Sequence, residues 1–124
     1  MYLYEQILDD NLIEDKIRLN IANDCAQLSY ILILDEHFEY ALRSALIAQE
    51  ADPSYLLTYT NLALSYLFND QFEEAKEVYL EWKDKPYDEE FETFKDVFLE
   101  DLKVLEKAEI THPDFEKIRR LLEQ

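Results

Sequence analysis

Residues 59–66 of this chain, Tyr-Thr-Asn-Leu-Ala-Leu-Ser-Tyr, correspond to residues 25–32, Cys-Ala-Gln-Leu-Ser-Tyr-Ile-Leu, which lie 34 positions earlier. The same shift aligns four further pairs: Phe38 with Phe72, Glu39 with Glu73, Ala41 with Ala75, and Leu46 with Leu80. A fixed period of this length is typical of stacked helical hairpins, each of which buries its apolar face only against its neighbours. The sequence therefore predicts a helical repeat architecture.

The rest of the chain also has helical apolar spacing, and no strict strand-like alternation persists in it. The chain contains no glycine, which disfavours tight β-hairpins and phosphate-binding loops. Asp88 and Thr111 are predicted helix caps, the latter followed by a first-turn proline. We predict an all-α chain of seven helices, at residues 2–9, 13–34, 38–51, 55–68 after the cap Ser54, 71–84, 89–107 and 113–123.

Both repeat units carry a degenerate family pattern. The first contains Cys25-x2-Leu28-Ser29-x2-Leu32, then Ala41-x3-Ala45, then Pro53; the second contains Tyr59-x2-Leu62-Ala63-x2-Tyr66, then Ala75-x3-Tyr79, then Pro86. Over about residues 22–86 the chain resembles the tetratricopeptide repeat, whose pattern is Trp-x2-Leu-Gly-x2-Tyr, then Ala-x3-Phe, then Pro. Ser29 and Ala63 replace the usual glycine and are still small enough for close helix packing.

The resemblance implies a single domain, a right-handed α-α superhelix. Its parts would be an N-terminal helix with the start of a long helix (1–21), two repeats (22–55 and 56–86) and a capping helix pair (87–124). The second unit and the cap also look like tail segments of larger bacterial repeat proteins. In such arrays the first helix of each pair lines a concave groove that binds a protein segment. The residues implied for that groove are Asn23, Gln27, Tyr30, Ile33, Leu57, Asn61, Leu64 and Leu67.

Two amides stand out in this implied groove, because Gln27 and Asn61 are 34 positions apart. An amide both donates and accepts hydrogen bonds, as holding an extended peptide requires. The alternative is that these amides pack or cap within the array. One subset of the family grips a C-terminal carboxylate with Lys and Asn residues, but this chain has Ala26 and Tyr30 at two of those places. We expect no such clamp here.

Charge limits the partners further. The chain has 29 acidic and 12 basic residues, a net charge of −17. Nucleic-acid binding usually requires a basic surface, so we expect no nucleic-acid partner. Acidity favours a protein or peptide ligand that is basic or apolar. The N-terminus lacks a secretion signal and no apolar run is long enough to cross a bilayer, which predicts a cytoplasmic protein without a membrane partner.

The candidates for chemistry are few. The lone Cys25 falls at a helix-packing position, and His37 falls in a predicted turn. Glu109 and His112 have the spacing of a metal-binding pair but stand at a helix break before Pro113. We therefore predict a non-enzymatic interaction module with no catalytic residue, metal or cofactor. The alternative is a structural or oligomerisation module, a terminal segment that docks on a preceding unit or on a second copy through Tyr2, Ile7 and the stretch 13–21.

Overall fold

The computed structural model describes residues 10–124 of the chain, and their regular structure is helical. Those residues form six α-helices and no β-strand, which confirms the predicted all-α class. The helices are α1 (Asp10–Leu34), α2 (Phe38–Ala51), α3 (Leu57–Phe68), α4 (Phe72–Trp82), α5 (Phe94–Lys107) and α6 (Phe115–Leu122). The predicted helix 2–9 lies outside the described residues. From Asp10 onward, none of the helices combines the length and apolarity that crossing a membrane requires.

The interface between α1 and α2 is built from small side chains. The fully buried residues that recur along it every three or four positions are Ala22, Ala26 and Ser29 on α1, and Ala41, Ala45 and Ala48 on α2. Two serine hydroxyls reach across to the backbone: Ser29 Oγ donates to the Ala41 carbonyl at 2.8 Å, and Ser44 Oγ donates to the Cys25 carbonyl at 2.6 Å. Small residues therefore bring these helices close enough for side chains to hydrogen-bond the opposite backbone.

Three helices end in the same turn although the chain has no glycine. Glu36, Asp70 and Glu109 adopt φ angles of 61°, 61° and 62°, the left-handed region that a helix C-terminus normally gives to glycine. At each turn the next backbone N–H reaches back five residues: His37 to Leu32 at 2.8 Å, Gln71 to Tyr66 at 2.9 Å, and Ile110 to Leu105 at 2.9 Å. These Schellman motifs close α1, α3 and α5, so each begins a helical hairpin.

The first two hairpins keep the 34-residue period. Helices α1 and α3 end at Leu34 and Phe68, and α2 and α4 begin at Phe38 and Phe72. The third hairpin does not keep it, because its left-handed residue follows Asp70 by 39 positions. The extra residues fall in the connection between α4 and α5.

That connection, residues 83–93, differs from the prediction. The helix expected at 89–107 begins only at Phe94, where Thr93 and Asp96 form a reciprocal capping box. Asp88, predicted to cap this helix, instead accepts the backbone N–H groups of Glu90 and Phe91 at 2.9 and 2.7 Å. The segment is a turn closed by a single antiparallel bridge between residues 86 and 93.

The main core lies where α3 and α4 meet the last hairpin. Tyr79, Phe94 and Phe98 are its largest fully buried side chains, and the Tyr79 and Phe98 rings meet edge to face at 4.7 Å. The regularly spaced apolar residues of the last hairpin are buried, whereas Phe91 lies in the connection before it and is partly buried. The buried members are Phe94, Phe98, Leu102 and Leu105 on α5, and Phe115, Ile118 and Leu122 on α6.

Candidate functional site

A cleft of about 450 Å³ opens between α1, α3, α5 and the 83–93 connection. Helix α1 contributes Gln27, Tyr30 and Ile31 to it, and the first part of α3 contributes a second wall. The residues of that second wall are Leu57, Thr60 and Asn61. Because α1, α3 and α5 each begin a hairpin, the pocket lies on the side of the fold that successive first helices share.

The third wall comes from the part of the chain where the repeat is broken. Tyr87, Asp88 and Phe91 from the 83–93 connection lie opposite α1 and α3, and Val97 and Asp101 from α5 complete the lining. Val97 and Asp101 are four positions apart, so they share one face of the helix. The lining is therefore aromatic and aliphatic, with two carboxylates and two amides at defined points.

Four of the eight predicted groove residues line this pocket: Gln27, Tyr30, Leu57 and Asn61. The structure places Ile33, Leu64 and Leu67 in the core instead, with 0%, 1% and 0% of their surface exposed. Ile33 continues the buried stripe of α1. Helix α3 is enclosed by α1, α2, α4 and α5, so its only groove-facing surface lies near its beginning.

The amides expected to contact a ligand are already engaged within the fold. Asn61 is 2% exposed, and its Nδ2 donates to the Ala26 carbonyl at 2.7 Å. Gln27 Nε2 donates to Asn23 Oδ1 at 2.8 Å, and the same oxygen accepts the Tyr55 hydroxyl at 2.5 Å. The packing alternative therefore describes Asn61, whose amide links α3 to α1.

Asp101 dominates the electrostatics of the pocket. The carboxyl group is partly buried in the lining, and within residues 10–124 it has no hydrogen-bond or ion-pair partner. Burial and, to a smaller extent, the nearby charge of Glu100 together raise the pKa of Asp101 from 3.8 to about 7. At neutral pH this carboxyl is therefore divided between its protonated and its charged form.

The charge of this carboxylate affects the pKa of three tyrosines. Burial and then the charge of Asp101 raise the pKa of Tyr30 on α1, of Tyr79 on α4 and of Tyr87 in the connection. Asp88 adds to the effect on Tyr87. These phenols remain neutral at physiological pH, so the pocket combines aromatic surface with negative charge only.

The remaining sequence candidates serve the fold. His112 Nε2 lies 2.8 Å from Asp70 Oδ1, and its Nδ1 accepts the Asp114 backbone N–H at 3.1 Å, so both ring nitrogens have protein partners. Glu109 provides the left-handed turn residue after α5. His37 Nε2 lies 3.0 Å from Asp35 on the surface. From residue 10 to 124, no three His, Cys, Asp or Glu side chains are grouped so that they could hold a metal ion.

Sequence reasoning missed the third wall of the pocket. Its clearest signal is Asp101, an acidic residue one position before Leu102 in the apolar stripe of α5 and one helical turn after Val97. In comparisons with known proteins, no family model matches the chain, and no curated protein or solved structure is significantly similar to it.

Proposed function

We propose that this chain is a non-enzymatic, tetratricopeptide-like interaction module that binds a protein segment in the pocket between α1, α3 and α5. The observation that carries the proposal is the pocket itself, an open cleft lined by the first helices of three successive hairpins. The repeated turns at Glu36 and Asp70 support the family assignment, because they recur at the 34-residue period of that family.

The lining fits a peptide anchored by side chains. Tyr30, Leu57, Phe91 and Val97 offer apolar surface, and aromatic residues are enriched where proteins bind other proteins. Asn61 is engaged with the Ala26 backbone, so recognition depends on side-chain burial more than on an amide ladder along the ligand. Asp88 and Asp101 repel a C-terminal carboxylate, which argues against the clamp used by one subset of the family.

A matched pair of tyrosine variants tests this proposal. Nine-residue peptides selected from a random library would be titrated by calorimetry into the parent chain, Tyr30→Ala and Tyr40→Ala. Tyr30 lines the pocket, whereas Tyr40 is 61% exposed on α2 and does not. We expect Tyr30→Ala to weaken binding at least tenfold, since truncating a central aromatic anchor costs about 2 kcal/mol or more, and Tyr40→Ala to leave it unchanged. Equal affinities for all three folded proteins would refute the pocket assignment.

A second candidate function is docking through the outer face of α1. Leu28 occupies the same repeat position as Leu62, yet Leu62 is 1% exposed and Leu28 is 46% exposed. Helix α3 packs against both helices of the preceding hairpin, whereas the described residues place no hairpin before α1. Ile17 and Ile21 extend the exposed apolar face, at 52% and 41%. The face thus fits a preceding repeat unit or a second copy of the chain.

Sedimentation velocity over a wide concentration range tests the self-association form of this second candidate. If a second copy covers the face, the sedimentation coefficient rises with concentration and Leu28→Lys abolishes the rise, because an ammonium cannot be buried there without a partner. Tyr40→Lys, at an exposed site on α2, is the control and should leave the rise intact. A monomer at all concentrations excludes the homodimer.

A further inference from the structure

We propose that the pocket receives one basic side chain, a lysine or an arginine, of the bound segment, with Asp101 as its counter-ion and the rings of Tyr30, Tyr87 and Phe91 as its walls. This inference rests on the proposed function, because it names the side chain by which the bound segment is anchored. It differs from the carboxylate recognition known in the resembled family, because the charge of the ligand is reversed.

Asp101 has no partner for its charge among the described residues. A carboxylate removed from water is unfavourable unless an opposite charge or hydrogen-bond donors compensate it. None of the pocket-lining residues is a lysine or an arginine. The cation nearest along the connection, Lys85, lies over the Trp82 ring at 3.8 Å from its centroid. In the described part of the chain the compensating charge is therefore absent, and a ligand can supply it.

Aromatic surface lies in the same pocket lining as the Asp101 carboxylate. Cations bind favourably over aromatic faces, and the Lys85–Trp82 contact shows this chain already using that interaction. A lysine or arginine also has a long aliphatic stem that gains from contact with apolar walls such as Leu57 and Val97. The apolar walls of the pocket suit the aliphatic stem of such a side chain, and the carboxylate suits its charged end.

An acidic or a neutral side chain suits this pocket less well than a basic one. Asp88 in the same pocket and the net charge of −17 make the surroundings of Asp101 negative, so an acidic side chain would be repelled. A neutral apolar side chain would fill the pocket but would leave Asp101 without a counter-ion. The raised pKa of Asp101 is consistent with this, because a bound cation would restore the charged form that burial disfavours.

Peptide libraries with one fixed central residue test the assignment. Four fluorescein-labelled nonapeptide libraries would carry Lys, Arg, norleucine or Glu at the centre, with the flanking positions randomised over neutral residues. Norleucine keeps the aliphatic stem of lysine and lacks its ammonium group. Fluorescence anisotropy would measure binding to the parent chain, to Asp101→Asn and to Glu50→Gln. Glu50 is exposed on α2, so Glu50→Gln removes the same charge at a site away from the pocket.

We expect the Lys and Arg libraries to bind at least tenfold more tightly than the norleucine library, and the Glu library to bind most weakly. Asp101→Asn should weaken the Lys and Arg libraries about ten- to hundredfold, the range for a charge-assisted hydrogen bond, and Glu50→Gln should change them less than twofold. If Asp101→Asn did not fold, the ranking of lysine over norleucine on the parent chain would still decide the matter.

Three results would overturn the inference in distinguishable ways. The first is equal binding of the Lys and norleucine libraries, or an equal loss of affinity for the Lys library in Asp101→Asn and Glu50→Gln. Either form of this result would contradict recognition of a basic side chain and would leave the proposed peptide binding in place. Binding of the Lys library that is unaffected by Asp101→Asn would move the cation site elsewhere. No binding of any library to the folded chain would overturn the proposed function and this inference with it.

Discussion

Replacing Asp101 by asparagine should stabilise the folded chain at pH 8 and much less at pH 5. The folded chain holds the pKa of this carboxyl at about 7, against 3.8 without burial. Between these two values the folded state binds a proton that the unfolded state has released, so the stability of the parent chain falls as the pH rises. Asparagine cannot ionise, so the variant does not lose this stability.

The size of the effect follows from the width of that window. One pKa unit corresponds to about 1.4 kcal/mol, so the full loss between pH 4 and pH 7 is about 4 kcal/mol. Between pH 5 and pH 8 the free energy of unfolding of Asp101→Asn should therefore rise relative to the parent chain by about 2 to 3 kcal/mol. The other titratable groups near the site, Tyr30, Tyr79, Tyr87, Asp88 and Glu100, are present in both proteins and largely cancel in this difference.

Urea denaturation monitored by circular dichroism at pH 5, 6, 7 and 8 would measure this difference. Glu50→Gln serves as the control, because an exposed acid should give a difference that stays flat across the same range. Glu100→Gln should leave most of the parent chain's pH dependence in place, since burial is the larger cause of the Asp101 shift. If the difference in the free energy of unfolding between Asp101→Asn and the parent chain did not change with pH, Asp101 would not be desolvated. That result would contradict the partly buried, uncompensated carboxyl group described for the pocket.

Two further predictions concern the fold around the site. Glu36→Gly and Glu109→Gly should each stabilise the chain by about 0.5 to 1 kcal/mol, because relief of a left-handed conformation exceeds the added backbone entropy of glycine. The control variant Glu77→Gly, within α4, should instead lose about 1 kcal/mol of stability. A loss of stability at all three sites in urea denaturation would show that the left-handed residues are not strained. Asn61→Ala should lose about 2 kcal/mol, because its buried amide no longer donates to the Ala26 carbonyl; an unchanged urea midpoint would mean that this hydrogen bond contributes nothing.

Apolar spacing and turn residues predicted helices α1 to α4, with every bound within about three residues of the structure. Helix α2 spans residues 38–51 as predicted, and α1 and α3 end at the predicted residues 34 and 68. These boundaries follow from local chemistry, namely polar turn residues and the proline after Asp52. The predicted start of α5 was wrong because two acidic residues that could cap a helix, Asp88 and Asp96, stand close together in the sequence. Asp88 closes a turn, whereas Asp96 supports the cap at Thr93, and only the packing of Phe94 into the core decides between them.

The pocket could be predicted only where the repeat holds. The groove geometry that the family resemblance implies identified Gln27 and Tyr30 on α1, and Leu57 and Asn61 on α3. That geometry did not show which residues of α3 face solvent, because α3 is enclosed by four helices, of which α1 and α5 belong to the two other hairpins. Residues such as Leu64 therefore entered the predicted groove although they are buried. The third wall depends on an irregular connection that periodicity does not describe.

The three left-handed turns give a register that relates the last hairpin to the other two. Counting back eight residues from Glu36, Asp70 and Glu109 gives Leu28, Leu62 and Asp101. The repeat position that is leucine twice is thus aspartate in the last hairpin. In α3 this position belongs to the core, where Leu62 is 1% exposed.

Before α5 the connection carries extra residues, and Tyr87 and Phe91 from it line the space beside the same position. A leucine at position 101 would have closed this space as core. An aspartate there keeps it polar and open at the expense of folding stability. We therefore expect Asp101→Leu to be more stable than the parent chain at pH 8 and unable to bind the lysine library, whereas a purely structural role for Asp101 predicts that stability and binding are lost together.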